Sequence, residues 1–137
     1  MSSFEQLKQT FFDECGDLLQ QIETSLTEIR EGSSTDDTIN AVFRAVHSVK
    51  GGAGVFGFDA LVEFAHVFET VLDSVRRGSL STTPDVIDVL LAASDVLADL
   101  VQMSRADRDP FAPHETSHFQ TLWTLWRASK SKTFKVG

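Results

Sequence analysis

Residues 39–56 have the sequence INAVFRAVHSVKGGAGVF, and this stretch decides the fold class. Its apolar residues recur at intervals of three and four, which places them on one side of an α-helix. They are Ile39, Val42, Val46, Val49, Ala53 and Phe56. Gly51, Gly52 and Gly54 lie within the same pattern, although glycine in a helix interior costs about 1 kcal/mol relative to alanine. We infer that something must approach the helix backbone closely at these glycines.

Helical periodicity continues on both sides of this stretch and predicts five helices in all. They span about 4–30, 36–56, 60–77, 84–104 and 115–129. The apolar stripe of the first helix comprises Leu7, Phe11, Leu18, Ile22, Leu26 and Ile29. Gly32 and Gly78 are typical of helix C-termini, Thr35 is a candidate N-cap, and Thr83-Pro84 is typical of a helix start.

The pattern predicts an all-α fold, because no segment shows the period-two alternation of a strand. Long amphipathic helices joined by short loops favour an antiparallel up-down four-helix bundle with an additional C-terminal helix. Residues 1–129 are expected to form this bundle, and the basic residues 130–137 to begin a linker.

The composition of the 137-residue chain favours a cytoplasmic protein with protein partners. The net charge of −8 disfavours nucleic acid. No apolar run approaches the roughly 20 residues of a membrane span. We expect no secretory signal, because the first residues contain no basic segment followed by an apolar core. The single cysteine, Cys15, excludes an internal disulfide and fits a reducing compartment. We expect it to be a free, unreactive thiol near the polar edge of the first helix.

The second helix is predicted to expose His47, which lies about 140° around the helix from Val42. Lys50 lies about 60° from His47, one turn further along the helix. Gly51 and Gly54 fall on the same outer side. The sequence therefore predicts an exposed imidazole beside an ammonium group, on a surface that lacks side chains.

A second polar group lies on the flank of the third helix and comprises His66, Glu69 and Asp73. If the second and third helices are antiparallel neighbours, His66 and Glu69 face His47. A hydrogen bond from one ring nitrogen to Glu69 makes the other nitrogen a better nucleophile. An anion on that nitrogen is then neutralised by Lys50. This arrangement suits reversible phosphorylation of a histidine, whereas Asp73 is expected to be a solvated acid.

Residues 43–58, FRAVHSVKGGAGVFGF, resemble the phosphorylation-site segment of histidine phosphotransfer (HPt) domains, particularly those of chemotaxis histidine kinases. The resemblance extends to 10–14 and 76–78 and covers roughly the first hundred residues. It implies a phosphoryl group on Nε2 of His47, with Glu69 at the proximal ring nitrogen and Lys50 and His66 beside the phosphate. Partner docking is expected at Arg44, Gly51 and Gly54. One departure is Val46, where alanine is common in the family.

The resemblance also implies a monomeric domain, because dimerisation in the family belongs to other domains, and it implies the partners. The phosphoryl donor is ATP on a kinase domain of the same or a partner protein, and the acceptor is an aspartate of a CheY-like receiver domain. The sequence contains no P-loop or kinase-type glycine-rich loop. We therefore expect this domain to bind no cofactor or metal, with ATP and Mg²⁺ held by the kinase domain and Mg²⁺ by the response regulator. The chain is not expected to be an enzyme on its own, and its parent protein is expected to be a histidine protein kinase.

Three other functions are considered. The first is a free-standing phosphorelay protein without a kinase domain. The second is a metal-binding bundle with His47, His66 and Glu69 as ligands, which is disfavoured because Lys50 would repel a cation. The third is a structural adaptor that docks a partner on the glycine surface without chemistry.

Overall fold

The computed structural model describes residues 2–33, 36–106, 120–122, 124, 125 and 127. Its long helices are α1 Ser3–Arg30, α2 Asp36–Val55, α3 Asp59–Arg76 and α4 Pro84–Arg105. These bounds agree to within one residue with the first four predicted helices. Residues 120–122, 124, 125 and 127 are also helical, as predicted for the fifth helix. The rest of that helix, Thr35 and the predicted linker over 130–137 lie outside the described residues.

The four long helices pack as an up-down bundle. α1 contacts α2 and α4, and α3 contacts the same two helices, so that α1 and α3 lie on one diagonal. The connections from α2 to α3 and from α3 to α4 are short, which makes consecutive helices antiparallel. Leu122 of the C-terminal helical segment is buried in the core, and Leu125 packs against it. The predicted all-α fold class is confirmed.

All four long helices contribute apolar residues to the core, and most of the stripe residues predicted for α1 and α2 are buried there. Leu18 and Phe56 are only partly buried. Leu7 was predicted to be buried but is 63% exposed. The reason is that Leu7 lies about 60° from Ile22 and about 100° from Leu26 around α1, at the edge of the buried face. Cys15, predicted near the polar edge, is fully buried.

A tight turn at Gly57 places α3 beside α2. Gly57 has a φ of 74°, a left-handed conformation that favours glycine. The Phe58 N–H donates to the Ala53 carbonyl at 3.0 Å, and the Gly57 N–H donates to the Gly54 carbonyl at 3.3 Å. These bonds satisfy carbonyls at the end of α2 and reverse the chain within three residues.

The three glycines of α2 have different surroundings. A Cβ atom on Gly52 would overlap the ring of Phe11, whereas a Cβ on Gly51 or Gly54 would meet nothing within 4 Å. The Phe11 ring is in turn surrounded by Phe12, Phe56 and Phe58, with ring centroids at 5.2, 5.5 and 6.3 Å. Gly52 is therefore required for packing inside the protein, and only Gly51 and Gly54 leave an open surface.

We predict that Gly52→Ala destabilises the protein by about 1–3 kcal/mol, because the Phe11 ring must move within its aromatic cluster. The matched control Gly51→Ala is expected to stabilise it by up to about 1 kcal/mol through helix propensity. Urea unfolding followed by circular dichroism measures both changes. Equal stabilisation by the two substitutions would show that Phe11 moves without cost.

Candidate functional site

The His47 imidazole and the Glu69 carboxylate meet across the interface between α2 and α3. Nδ1 of His47 lies 2.8 Å from Oε2 of Glu69. The His47 side chain is 61% exposed, whereas that of Glu69 is only 15% exposed. An exposed ring is thus attached at one nitrogen to a carboxylate that the helix interface largely covers.

Lys50 binds the other oxygen of the same carboxylate. Its Nζ lies 3.0 Å from Oε1 of Glu69, and its side chain is mostly covered. Lys50 follows His47 by three residues, which places both on the side of α2 that faces α3. Since an ammonium group has three N–H donors, this bond leaves Lys50 with donors for a second anion.

The charge of Glu69 determines which nitrogen of His47 carries the proton. Burial opposes ionisation of Glu69, but hydrogen bonds from His47 and Lys50 outweigh it and lower the pKa of this carboxyl. An ionised carboxylate can only accept a hydrogen bond, so Nδ1 of His47 is the donor. In the neutral ring, Nε2 is therefore unprotonated and carries a free electron pair.

Four further residues were predicted at the site, and in the described part of the chain none of them forms a hydrogen bond or ion pair with the side chains of His47, Lys50 or Glu69. Arg44, Gly51 and Gly54 are exposed on α2. His66 is exposed on α3, one turn before Glu69, and its carbonyl accepts a hydrogen bond from Thr70. Within the described part of the chain, no hydrogen bond or ion pair joins the His66 ring to the site. The roles predicted for these four residues stay predictions.

The sequence analysis did not single out Phe43 and Arg76, which also lie at the site. The Phe43 ring is nearly parallel to that of His47, at 9° and with centroids 6.3 Å apart. The Arg76 guanidinium carbon lies 4.0 Å from the Phe43 ring centroid. Phe43 precedes His47 by four residues, a spacing from which a shared helix face could have been predicted. No comparable signal in the sequence pointed to Arg76.

Asp73 was predicted to be a solvated acid, but it accepts hydrogen bonds from two arginines. Nη2 of Arg76 lies 2.6 Å from one Asp73 oxygen, and Nε of Arg77 lies 3.1 Å from the other. Asp73 thus holds Arg76 at the position where its guanidinium group covers the Phe43 ring.

Three further features of the described residues concern metal binding, thiol reactivity and membrane insertion. They contain no group of three or more His, Cys, Asp or Glu side chains arranged to hold a metal ion. Burial, and secondarily the charge of Glu14, raises the pKa of the Cys15 thiol to about 12, which makes this thiol unreactive. No described helix is long and apolar enough to cross a membrane.

The model of a protein family described as "Hpt domain" matches residues 6–107 of the chain. Among curated proteins, the chain is similar to the chemotaxis protein CheA of Rhizobium meliloti, with 52% identity over 100 residues, 73% of the chain and 13% of the relative. It is also similar to CheA of Salmonella typhimurium, with 39% identity over 76% of the chain and 16% of the relative. The chain therefore spans less than a fifth of the length of these relatives.

Two solved structures share the fold. One is the crystal structure of the phosphorylated P1 domain of CheA3 in complex with CheY6 from R. sphaeroides. It has a TM-score of 0.72 and 25% identity, and the match covers 96% of the chain and 98% of the P1 domain. The other is the solution structure of the histidine phosphotransfer domain of CheA. It has a TM-score of 0.72 and 27% identity, and the match covers 93% of the chain and 91% of that domain.

The lowered pKa of Glu69 predicts a pH-dependent contribution to stability. Because the unfolded chain binds a proton at Glu69 more readily than the folded protein, the contribution is complete above the ordinary pKa of 4.5. It is lost as the pH falls through the lower folded-state pKa. We expect the difference in the free energy of unfolding between the wild type and Glu69→Gln to narrow as the pH falls from 4.5 to the folded-state pKa, as measured by urea unfolding at a series of pH values. A difference in the free energy of unfolding that does not change with pH would contradict the ionised state assigned to Glu69.

Proposed function

The chain belongs to the Hpt domain family, and on this premise we propose that it carries a phosphoryl group in chemotaxis signalling. His47 receives the group from ATP on a kinase domain and passes it to an aspartate of a response regulator. The observation that carries this proposal is the bond between His47 and ionised Glu69, which leaves Nε2 unprotonated in the neutral form of an exposed ring. An unprotonated nitrogen that a second protein can reach is what phosphoryl transfer requires of the acceptor.

In the first step the Nε2 electron pair attacks the γ-phosphorus of ATP, and the bond to the bridging oxygen of ADP breaks as the N–P bond forms. Nδ1 keeps its proton, so the phosphorylated ring carries a positive charge. Glu69 stabilises this charge, because its carboxylate lies 2.8 Å from Nδ1. Lys50, with donors to spare, neutralises the phosphoryl oxygens.

In the second step an aspartate oxygen of the response regulator attacks the phosphorus, and the N–P bond breaks. The electron pair returns to Nε2, and the positive charge on the ring disappears. Glu69 holds the ring through both steps, so that the same nitrogen faces both partners. The domain itself supplies the nucleophile and its positioning, while ATP and Mg²⁺ belong to the kinase domain and Mg²⁺ to the regulator.

The parent protein, in this proposal, is a histidine protein kinase, and the chain is its phosphorylated domain rather than an enzyme. The similarity to CheA proteins over part of their length supports this assignment. A receiver domain is the proposed partner, since the similar P1 domain of CheA3 forms a complex with CheY6. We propose that the receiver approaches α2 over Arg44, Gly51 and Gly54, where the absence of side chains on the glycines leaves the helix backbone accessible.

We predict that His47→Gln abolishes phosphorylation, because an amide lacks the nucleophilic nitrogen. The chain is incubated with labelled ATP, Mg²⁺ and the catalytic domain of a CheA protein. Label should appear on the wild type with the acid lability and base stability of phosphohistidine. Labelling of the variant at the wild-type rate would refute the assignment of His47.

We predict that Gly54→Phe slows transfer to a receiver domain by at least about tenfold, because a large side chain blocks close approach. The variant should remain folded, since a Cβ on Gly54 meets nothing within 4 Å. Gly16→Phe is the matched control, because Gly16 is an exposed helical glycine of α1 that is equally open. Transfer from the phosphorylated chain to the receiver measures the effect. Equal rates for both variants would show that the receiver does not approach at Gly54.

A further inference from the structure

Four side chains form a continuous column along the interface of α2 and α3, which we call the stacking column. It begins at Asp73, whose carboxylate oxygen lies 2.6 Å from Arg76. The Arg76 guanidinium group lies over the Phe43 ring, 4.0 Å from its centroid. The Phe43 ring in turn lies nearly parallel to the His47 ring, within 9°. The column therefore ends at the proposed nucleophile.

A single hydrogen bond does not define the orientation of an exposed imidazole. The bond from Nδ1 to Glu69 sets a distance of 2.8 Å, but it allows the ring to tilt about the line between the two atoms. With 61% of the His47 side chain exposed, little packing opposes such a tilt on the solvent side. The parallel ring of Phe43 supplies the second contact that restricts the plane of the imidazole.

The Phe43 ring is itself held from two directions. It is partly buried and packs against the core of the bundle. Arg76 covers it, and a cation over the face of an aromatic ring is attracted to that ring. Arg76 is held by Asp73, so each member of the column limits the movement of the next.

We propose that Phe43, held in place by Arg76, is a positioning residue that fixes the plane of the His47 ring and aims Nε2 for in-line phosphoryl transfer. This inference rests on the proposed phosphorylation of His47. Small misalignments of reacting groups reduce rates severalfold or more, because the attacking electron pair must point along the bond being broken. Glu69 then determines the tautomer of His47, and the stacking column determines the direction of its free electron pair.

The principal test compares Phe43→Leu, which keeps an apolar side chain but removes the flat ring, with Phe43→Tyr, which retains it. The order of the His47 ring is measured by carbon-13 relaxation of its ring carbons, and phosphorylation by a CheA catalytic domain is measured at saturating ATP. We expect Phe43→Leu to lower the ring order and to reduce kcat by about 3- to 10-fold with little change in KM. Phe43→Tyr should restore both.

Arg76→Gln provides a second test at an exposed position where misfolding is not expected. Arg77→Gln is its matched control, because both substitutions remove one positive charge and one ion pair to Asp73. Of the two arginines, the described structure places only Arg76 over the Phe43 ring. We expect Arg76→Gln to reduce ring order and kcat in the same direction as Phe43→Leu, and Arg77→Gln to leave both unchanged.

The outcomes separate this inference from the proposed function. Wild-type ring order and kcat in both Phe43→Leu and Arg76→Gln would overturn the positioning role and leave phosphorylation of His47 intact. Equal losses of ring order and kcat in Arg76→Gln and Arg77→Gln would also overturn the positioning role, because the removal of a positive charge from this surface would then explain the effect. If the wild type were not phosphorylated on His47, the proposed function would fail and the positioning role in phosphoryl transfer would fail with it, even if ring order still depended on Phe43.

Discussion

Burial of Val42, Val46 and Val49 of α2 in the core is the constraint on which the site depends. Once these residues face inward, the 100° step of the helix requires His47 to point outward and Lys50 to lie at the edge that meets α3. The same rule applies to α3, where burial of its apolar stripe leaves Glu69 at the edge that meets α2. The polar contacts of the site therefore follow from apolar packing.

The Glu69 carboxylate shows how a largely covered acid can serve an exposed base. Its two oxygens accept from His47 and Lys50, and these bonds outweigh the effect of burial on its pKa. Both partners favour the charged form of this carboxylate at the interface. The charge of Glu69 then determines the tautomer of the His47 ring, which is otherwise open to solvent. The reactivity of the ring is therefore set from the helix interface, while its solvent side stays accessible to a partner protein.

Much of this arrangement could be predicted from single-helix geometry. The bounds of the four long helices, the core face of α2 and the neighbourhood of His47 and Glu69 all follow from periodicity and from capping residues. The predictions for Leu7 and Cys15 were wrong because the buried face of α1 is centred near Cys15 and not near Phe11. Around α1, Cys15 lies about 20° from both Ile22 and Leu26, inside the buried face, whereas Leu7 lies about 60° and 100° from these two residues, at the edge of that face.

The sequence by itself determined the fold class, the outward direction of His47 and the pairing of α2 with α3, because these depend on local periodicity and short connections. Only the tertiary structure showed that Gly52 accommodates Phe11 while Gly51 and Gly54 stay open. It alone also brought Arg76 over the Phe43 ring, a contact between residues 33 positions apart in the chain. Such contacts depend on the axial offset between helices, and this offset is set by the packing of large side chains across the interface.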